Sequence, residues 1–405
     1  MRLFASVAVI AALLAPLSAM AAPLSWIPTW YASPEPTGST PVATLQDETV
    51  RQIVHVSAGG KMVRIRLSNA HGSNDLHIAK VAVADRDTGS TIKAGSSVAL
   101  TFGGHGDVVV APGGYALSDP IAFDVVPQSD LAISLQVNGS VPLSTVHLTQ
   151  RKAAYFATGD AVDAITFPAV APPATGDQGL WLSEVEVAQS PAKAVVVAFG
   201  DSITDGFGPK ADTNAPWPDV LADRLTKAKM PLAVINAAIT GNRLLHAGSW
   251  APFGAAGVAR FDGDVLAQPN VKAVVVLLGI NDIGQYGSGA QEAADVRDIE
   301  TGLAQLAARA HENGLKIYVG TLTPFKVTTI KAYYSDEKEA QREAVNAWIR
   351  SNSAAFDGVA DFDRALEDPA NPGHMRADYD SGDHLHPSAA GDAAIAGAIP
   401  LGWFR

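Results

Sequence analysis

Cysteine is absent from the 405 residues. That absence removes a disulfide framework, a thiolate metal site, a cysteine nucleophile and a lipidated N-terminal cysteine. Basic residues are scarce as well: 29 Lys and Arg face 41 Asp and Glu, for a net charge of −12. Binders of nucleic acid or anionic membrane are usually basic, so neither partner is expected. Charged residues make up only 17% and apolar residues 47%, a composition that builds buried cores and excludes a disordered chain. Beyond the N-terminus no segment offers 18 uncharged apolar residues, so no stable membrane anchor is expected in the mature chain.

The N-terminus has its own pattern. Met1-Arg2 is positive, residues 3–17 are apolar apart from Ser6 and Pro16, and Ala19-Met20-Ala21 is a small-x-small cleavage site. Residues 1–21 therefore read as a secretory signal peptide, too short and wrongly flanked for a spanning helix. Cleavage after Ala22 would put Pro23 at the scissile bond, so Ala21 is preferred. A secreted or periplasmic product is expected.

Residues 24–190 read as short strands separated by turn residues. Val50, Ile53, Val54 and Val56 alternate, Ala58-Gly59-Gly60 turns, and Val63, Ile65 and Leu67 share the next face, which predicts a hairpin. Further strands are predicted at 76–84, 98–102, 107–110, 121–126, 131–137 and 181–187, with no long helical pattern. Such spacing suggests an accessory domain of β-sandwich or jelly-roll type. Ser190-Pro191-Ala192-Lys193 reads as a linker.

Residues 191–405 have a different period. Continuous apolar runs at 194–199, 233–235, 273–278 and 317–322, and a weaker one at 358–360, read as strands of a parallel sheet buried on both faces. Helical patterns lie between them at 217–229, 295–313 and 335–352. The alternation predicts a flavodoxin-like, doubly wound α/β domain, in which function collects at the carboxyl ends of the strands.

Chemistry-bearing residues sit at those ends. The first run leads into Gly200-Asp201-Ser202-Ile203, the second into Thr240-Gly241-Asn242-Arg243, and the third into Gly279-Ile280-Asn281-Asp282. Asp383-His384-Leu385-His386 follows near the C-terminus. Each piece alone is weak; the four in order are specific. Together they resemble the four blocks of the SGNH, or GDSL, hydrolases, with Ile203 in place of the leucine, and the resemblance covers residues 194 to about 400. More loosely, the preceding β-rich half is similar to the N-terminal region of a two-domain bacterial branch described as arylesterase- or carbohydrate-esterase-like.

The resemblance implies hydrolysis of carboxylic esters through an acyl-enzyme, with no metal or organic cofactor. Residue chemistry points the same way. Ser202 is the candidate nucleophile, His386 its base, and Asp383 the carboxylate that orients the imidazole. The N–H groups of Ser202 and Gly241 and the Asn281 amide are the candidate oxyanion donors. A histidine base works only when neutral, so activity is expected to rise as pH passes through the ordinary imidazole range, about 6–7. On chemistry alone His384 stands beside His386 as a base, while Asp201 and Asp282 read as loop braces. Arg243 reads as a substrate contact or an ion-pair partner. Trp250, Tyr333 and Tyr334 read as packing or a sugar-stacking wall, and His71 and His77 as solvent-facing or locally bonded.

Three rivals remain. Gly200-Asp201, Asn281-Asp282 and His384-Leu385-His386 faintly echo a binuclear metal phosphoesterase, without its Asp-x-His and Asn-His pairs. An elbow of the type Gly-x-Ser-x-Gly is missing, which disfavours that other serine hydrolase class. A non-catalytic glycan-binding protein would not need the full residue set. The expected substrate is a small-molecule or polysaccharide ester, with an O-acetyl group on carbohydrate favoured over a short-chain, aryl or lysophospholipid ester. The β-rich half is expected to pack on the catalytic domain and wall its cleft.

Overall fold

Short strands in the N-terminal half build two main antiparallel sheets, with Gly60–Ser68 alternating in burial and Glu48–Val56, Ser129–Gln136 and Leu182–Ala188 buried along most of their length. We describe them from a computed structural model, which covers residues 24–38, 43–167, 178–285 and 294–405; the predicted signal peptide lies outside the described residues. One sheet has the order Trp26–Tyr31, Leu182–Ala188, Gly60–Ser68, with Tyr115–Leu117 and Ile121–Val125 both pairing on Gly60–Ser68. The other runs Ala154–Thr158, Glu48–Val56, Ser129–Gln136, Lys80–Thr88. Val50, Val54 and Val56 from one sheet and Val63, Ile65, Val185 and Val187 from the other join a common core.

The predicted hairpin at 49–68 does not form. Glu48–Val56 pairs with Ser129–Gln136 and Ala154–Thr158, whereas Gly60–Ser68 belongs to the opposite sheet. Alternation fixes which face of a strand is buried, not which strand lies beside it. The chain changes sheet at Ala58-Gly59-Gly60, where a Cβ on Gly59 would stand 2.3 Å from the Val125 carbonyl oxygen. The strand predicted at 76–84 also divides at Ala79: Leu76–Ile78 pairs with Val108–Val110, and Lys80–Thr88 enters the larger sheet.

The C-terminal half is organised by a five-stranded sheet in the order Leu232–Ala238, Ala194–Gly200, Val271–Leu277, Lys316–Gly320, Gly358–Ala360, with every pairing parallel. Its second strand, Ala194–Gly200, is fully covered from Val195 to Phe199, as its unbroken apolar run requires. Helices Trp217–Lys227, Val296–Glu312 and Asp336–Ser351 lie where the 3.6-residue period puts them. Asp295 and Ser335 cap two of them, accepting from Arg297 N–H and Lys338 N–H, and such caps stabilise by about 1 kcal/mol each. Helix Ala389–Gly397, capped by Ser388, escapes the sequence reading. Its run of alanine and glycine carries almost no amphipathic contrast, so periodicity cannot find it.

The two halves meet across a buried junction. Ser190 and Ala192 are buried, and Ser190 Oγ donates to Gly59 O at 2.6 Å, so residues 190–193 are not a free linker. Strand Trp26–Tyr31 packs against Leu232–Ala238. Tyr31 Oη donates to Asp264 Oδ1 at 2.8 Å, and both terminal nitrogens of Arg86 reach the Asp212 carboxylate at 2.7 and 2.6 Å. Among the described residues no helix is long and apolar enough to cross a membrane.

Candidate active site

Strand Ala194–Gly200 ends at a glycine with steric reason to be one. A Cβ on Gly200 would lie 2.2 Å from Thr204 Oγ1 and 2.7 Å from Leu277 O. The chain then turns into the single helical turn Ser202–Asp205, capped by Asp201 Oδ1 on Ile203 N–H at 3.1 Å and ended by Gly206 at φ 100°. Ser202 is thereby the first helical residue. Its N–H is not donated to any other backbone group among the described residues.

His386 arrives from the C-terminal loop. Its Nε2 lies 2.8 Å from Ser202 Oγ and its Nδ1 2.6 Å from Asp383 Oδ2. Asp383 Oδ1 accepts from the N–H groups of Leu385 at 3.0 Å and His386 at 2.8 Å. Burial would raise the Asp383 pKa, but the hydrogen bonds and charge of His386 and the two N–H groups hold it well below the ordinary carboxylate range. An ionised Asp383 can only accept, so Nδ1 carries the proton and Nε2 is left to take one from the serine. From the opposite side, Thr329 N–H and Thr328 Oγ1 anchor the Asp383 carbonyl at 3.0 and 2.8 Å. His384 is turned to another partner: its Nδ1 bonds Asp380 from a backbone at φ 59°. The structure thus brings His386, not His384, to Ser202.

Gly241 and Asn281 are joined through Asn242. Asn281 Nδ2 donates to Asn242 O at 3.0 Å, and Ile239 N–H donates to Gly200 O at 3.2 Å, tying this loop to the serine's strand. Gly241 has φ 76°, and a Cβ there would come within 2.3 Å of the Phe253 ring; both features call for glycine. Asp282 accepts from Leu244 N–H at 2.7 Å and Leu245 N–H at 2.9 Å, with its carboxyl pushed up to about 6 by burial. It braces the loop, as expected. Arg243 is buried and donates to Ala247 O at 2.9 Å. The three aromatics read as packing or a sugar-stacking wall separate into three roles. Trp250 is exposed against Phe253, Tyr334 bonds Asp336, and Tyr333 is buried with its hydroxyl on Asn281.

Asp201 has an unusual environment. It is fully buried and its Oδ2 has no hydrogen-bond partner among the described residues. Burial, aided by the Asp282 charge and opposed by the Ile203 N–H, pushes its carboxyl up to about 7. Between about pH 4, where a free Asp titrates, and pH 7 the native state holds a proton that the unfolded chain has lost, so stability falls as pH rises through that window. Asp201→Asn keeps the cap oxygen and removes the titration. Its stability relative to wild type is expected to improve from pH 5 to pH 8 in urea melts; a difference independent of pH would refute the assignment.

Several supports were not legible in the sequence. Arg260 donates to Gly200 O (2.8 Å), Ala237 O (2.7 Å) and Asn242 Oδ1 (2.9 Å), bracketing two strand ends, and pairs with Asp264. His147, from the N-terminal half, reaches Asp205 at the end of the serine's helical turn. Neither belongs to a local motif; each is defined by contacts distant in the chain.

A serine, an imidazole and a carboxylate hydrogen-bonded in line are the constellation of serine hydrolases, esterases and peptidases alike; the family that residues 198–394 match makes this a carboxylic ester hydrolase. Residues 198–394 match the GDSL-like Lipase/Acylhydrolase family, and the C-terminal half of the chain is a domain of that family. Solved structures similar to it include a GDSL-like lipase from Bacteroides thetaiotaomicron VPI-5482, 18% identical with a TM-score of 0.38 over 52% of this chain and 88% of that one. TesA is 23% identical with a TM-score of 0.37 over 51% and 95%. The acetyl xylan esterase AlAXEase is 19% identical with a TM-score of 0.39 over 50% and 96%. No curated protein sequence matches the chain.

Proposed function

We propose that the protein is an exported serine esterase in which Ser202, His386 and Asp383 form the catalytic triad. The observation that carries this reading is the line from Asp383 Oδ2 through His386 to Ser202 Oγ, with steps of 2.6 and 2.8 Å. In this mechanism Ser202 Oγ attacks the ester carbonyl as its proton passes to His386 Nε2. The N–H groups of Ser202 and Gly241 and the Asn281 amide receive the charge that develops on the carbonyl oxygen. His386 then protonates the departing alkoxide, leaving an acyl-serine. Water, deprotonated by the same nitrogen, attacks that acyl group, and the carboxylic acid and free serine are restored.

For the substrate we favour a short acyl ester, an O-acetyl group on a carbohydrate. The signal-peptide pattern of residues 1–21, the acidic net charge and the β-rich half, read as a sandwich-like domain, support an extracytoplasmic substrate that is not strongly anionic. One observation favours a second reading, an aryl or other apolar ester. Among the described residues, the exposed large apolar side chains of the C-terminal half, Phe207, Trp250, Val327 and Ile330, all lie on loops tied to the site. Phe207 sits 4.5 Å from the His386 ring, Trp250 lies against Phe253, and Val327 and Ile330 flank the threonines that hold Asp383.

Mass spectrometry after treatment with an organophosphate is expected to find the adduct on Ser202. Deacetylation of acetylated xylan, mannan and monosaccharides, run beside p-nitrophenyl esters of increasing chain length, separates the two substrate readings. Zero release from all sugars with rapid cleavage of apolar esters would sink the first.

A further inference from the structure

Asn281 is useful as an oxyanion donor only if its amide faces the right way. A primary amide presents an acceptor on one side and two donors on the other, and a half-turn would aim its oxygen where its nitrogen should be. Two contacts decide the orientation here. Asn281 Nδ2 donates to the Asn242 carbonyl at 3.0 Å, and Asn281 Oδ1 accepts from Tyr333 Oη at 2.8 Å. The Asn242 carbonyl can only accept, so it selects the nitrogen side. The phenol hydroxyl donates to the oxygen side and closes the second lock. One N–H of Asn281 is spent on Asn242, and the other is left for the substrate.

We infer that Tyr333 is a positioning residue of the oxyanion site, its hydroxyl fixing the Asn281 amide in its donating orientation. The inference rests on Asn281 acting as an oxyanion donor, as proposed above. The fold makes room for this contact. Asn281 and Gly284 lie three residues apart on the one-turn helix Ile280–Gly284, a spacing that puts them on the same side. A Cβ on Gly284 would stand 2.1 Å from Tyr333 Cζ, so any other residue there would expel the ring. Phe325 closes over the ring edge-on at 6.0 Å between centroids. Tyr333 is 3% exposed, and burial together with the charges of Asp201, Asp282 and Asp383 raises its pKa well above the ordinary phenol value. It therefore remains a neutral donor throughout the working range of the enzyme.

Tyr333→Phe removes one oxygen and keeps the ring in its seat. Its kcat for p-nitrophenyl acetate is expected to fall about tenfold or more, within the 10²- to 10³-fold typical of losing an oxyanion donor outright. KM should move by less than about twofold, since the amide acts on the transition state and not on bound substrate. A merely structural tyrosine would not give that split. The decisive comparison is a double-mutant cycle with Asn281→Ala, each protein checked by its thermal melt. If Tyr333 acts through Asn281, adding Tyr333→Phe to Asn281→Ala should slow the enzyme no further. Undiminished kcat in folded Tyr333→Phe, or losses that multiply in the double variant, would overturn the inference. Undiminished kcat in Asn281→Ala would instead overturn the oxyanion assignment beneath it, and the inference with it, so the two failures are told apart.

Discussion

Ser202→Ala is expected to lower kcat for p-nitrophenyl acetate by at least about 10⁴-fold, with little change in the thermal melt. Every covalent step of the proposed mechanism passes through Ser202 Oγ, which is the atom His386 Nε2 faces at 2.8 Å. Without it the imidazole has no nucleophile to activate, and Asp383 orients a base with nothing to accept from. Groups that act as a unit are not additive, so His386→Ala should cost nearly as much as Ser202→Ala, and the pair together little more than either. The residual rate would come from the oxyanion donors acting on water. The same assay with EDTA tests the metal-dependent rival. Wild-type activity is expected to survive the chelator, because no step of the serine mechanism calls on a cation. Activity retained in Ser202→Ala, or lost to EDTA alone, would reopen the phosphoesterase reading suggested by Asp201, Asn281-Asp282 and the His384-Leu385-His386 segment.

Ser202, Gly241 and Asn281 could be picked out beforehand because a parallel sheet makes them local, whereas chemistry alone left His384 beside His386 and the family resemblance chose between them. Ser202, Gly241 and Asn281 each follow directly on a buried apolar run, and such runs are visible without knowing which strand neighbours which. Asp383 and His386 share one turn, so their spacing alone suggests a hydrogen bond. Sheet pairing in the N-terminal half had no such local signature. The alternation at 61–68 marked the buried face of its strand, whereas the strand predicted at 49–57 is buried on both faces, with Ile53 in a separate cluster from Val50, Val54 and Val56. Only the three-dimensional partners, Ser129–Gln136 for one and Leu182–Ala188 for the other, reveal that the two strands belong to different sheets. The same limit hid Tyr333, whose role depends on a contact 52 residues away in the chain. It also hid Arg260, which in sequence is an ordinary helix arginine and in the fold holds the ends of two strands.

His147→Phe is expected to destabilise the protein by about 3–5 kcal/mol, the usual cost of removing one partner from a buried ionic cluster. His147 is buried where the two halves meet. Its Nε2 lies 3.0 Å from Asp205 Oδ1, and its Nδ1 lies 3.0 Å from Glu35 Oε1 and 3.1 Å from Ser33 O. Burial alone would lower its pKa, but the Asp205 and Glu35 carboxylates raise it well above the ordinary imidazole value, so the ring is held as a cation beside two carboxyl groups, while burial pushes the Glu35 carboxyl above its own ordinary value. Phenylalanine fills similar space and pairs with neither. Because the folded pKa is raised, the stabilisation is complete below the unfolded value of about 6.5 and is lost as pH rises through the folded one. The gap between wild type and variant in urea melts should therefore be widest below about pH 6.5 and narrow steadily as pH rises from there toward the folded pKa. Activity should suffer as well. Asp205 Oδ2 accepts from both Thr240 N–H at 3.0 Å and Thr240 Oγ1 at 2.6 Å, and Thr240 immediately precedes Gly241. A carboxylate that loses its cation loosens its grip on the loop that offers the Gly241 N–H, so kcat should fall even in the folded fraction. His147→Gln, which retains one N–H donor, should recover part of both losses. A His147→Phe protein that melts and turns over like wild type would mean that the β-rich half only rests on the catalytic domain and takes no part in holding its site.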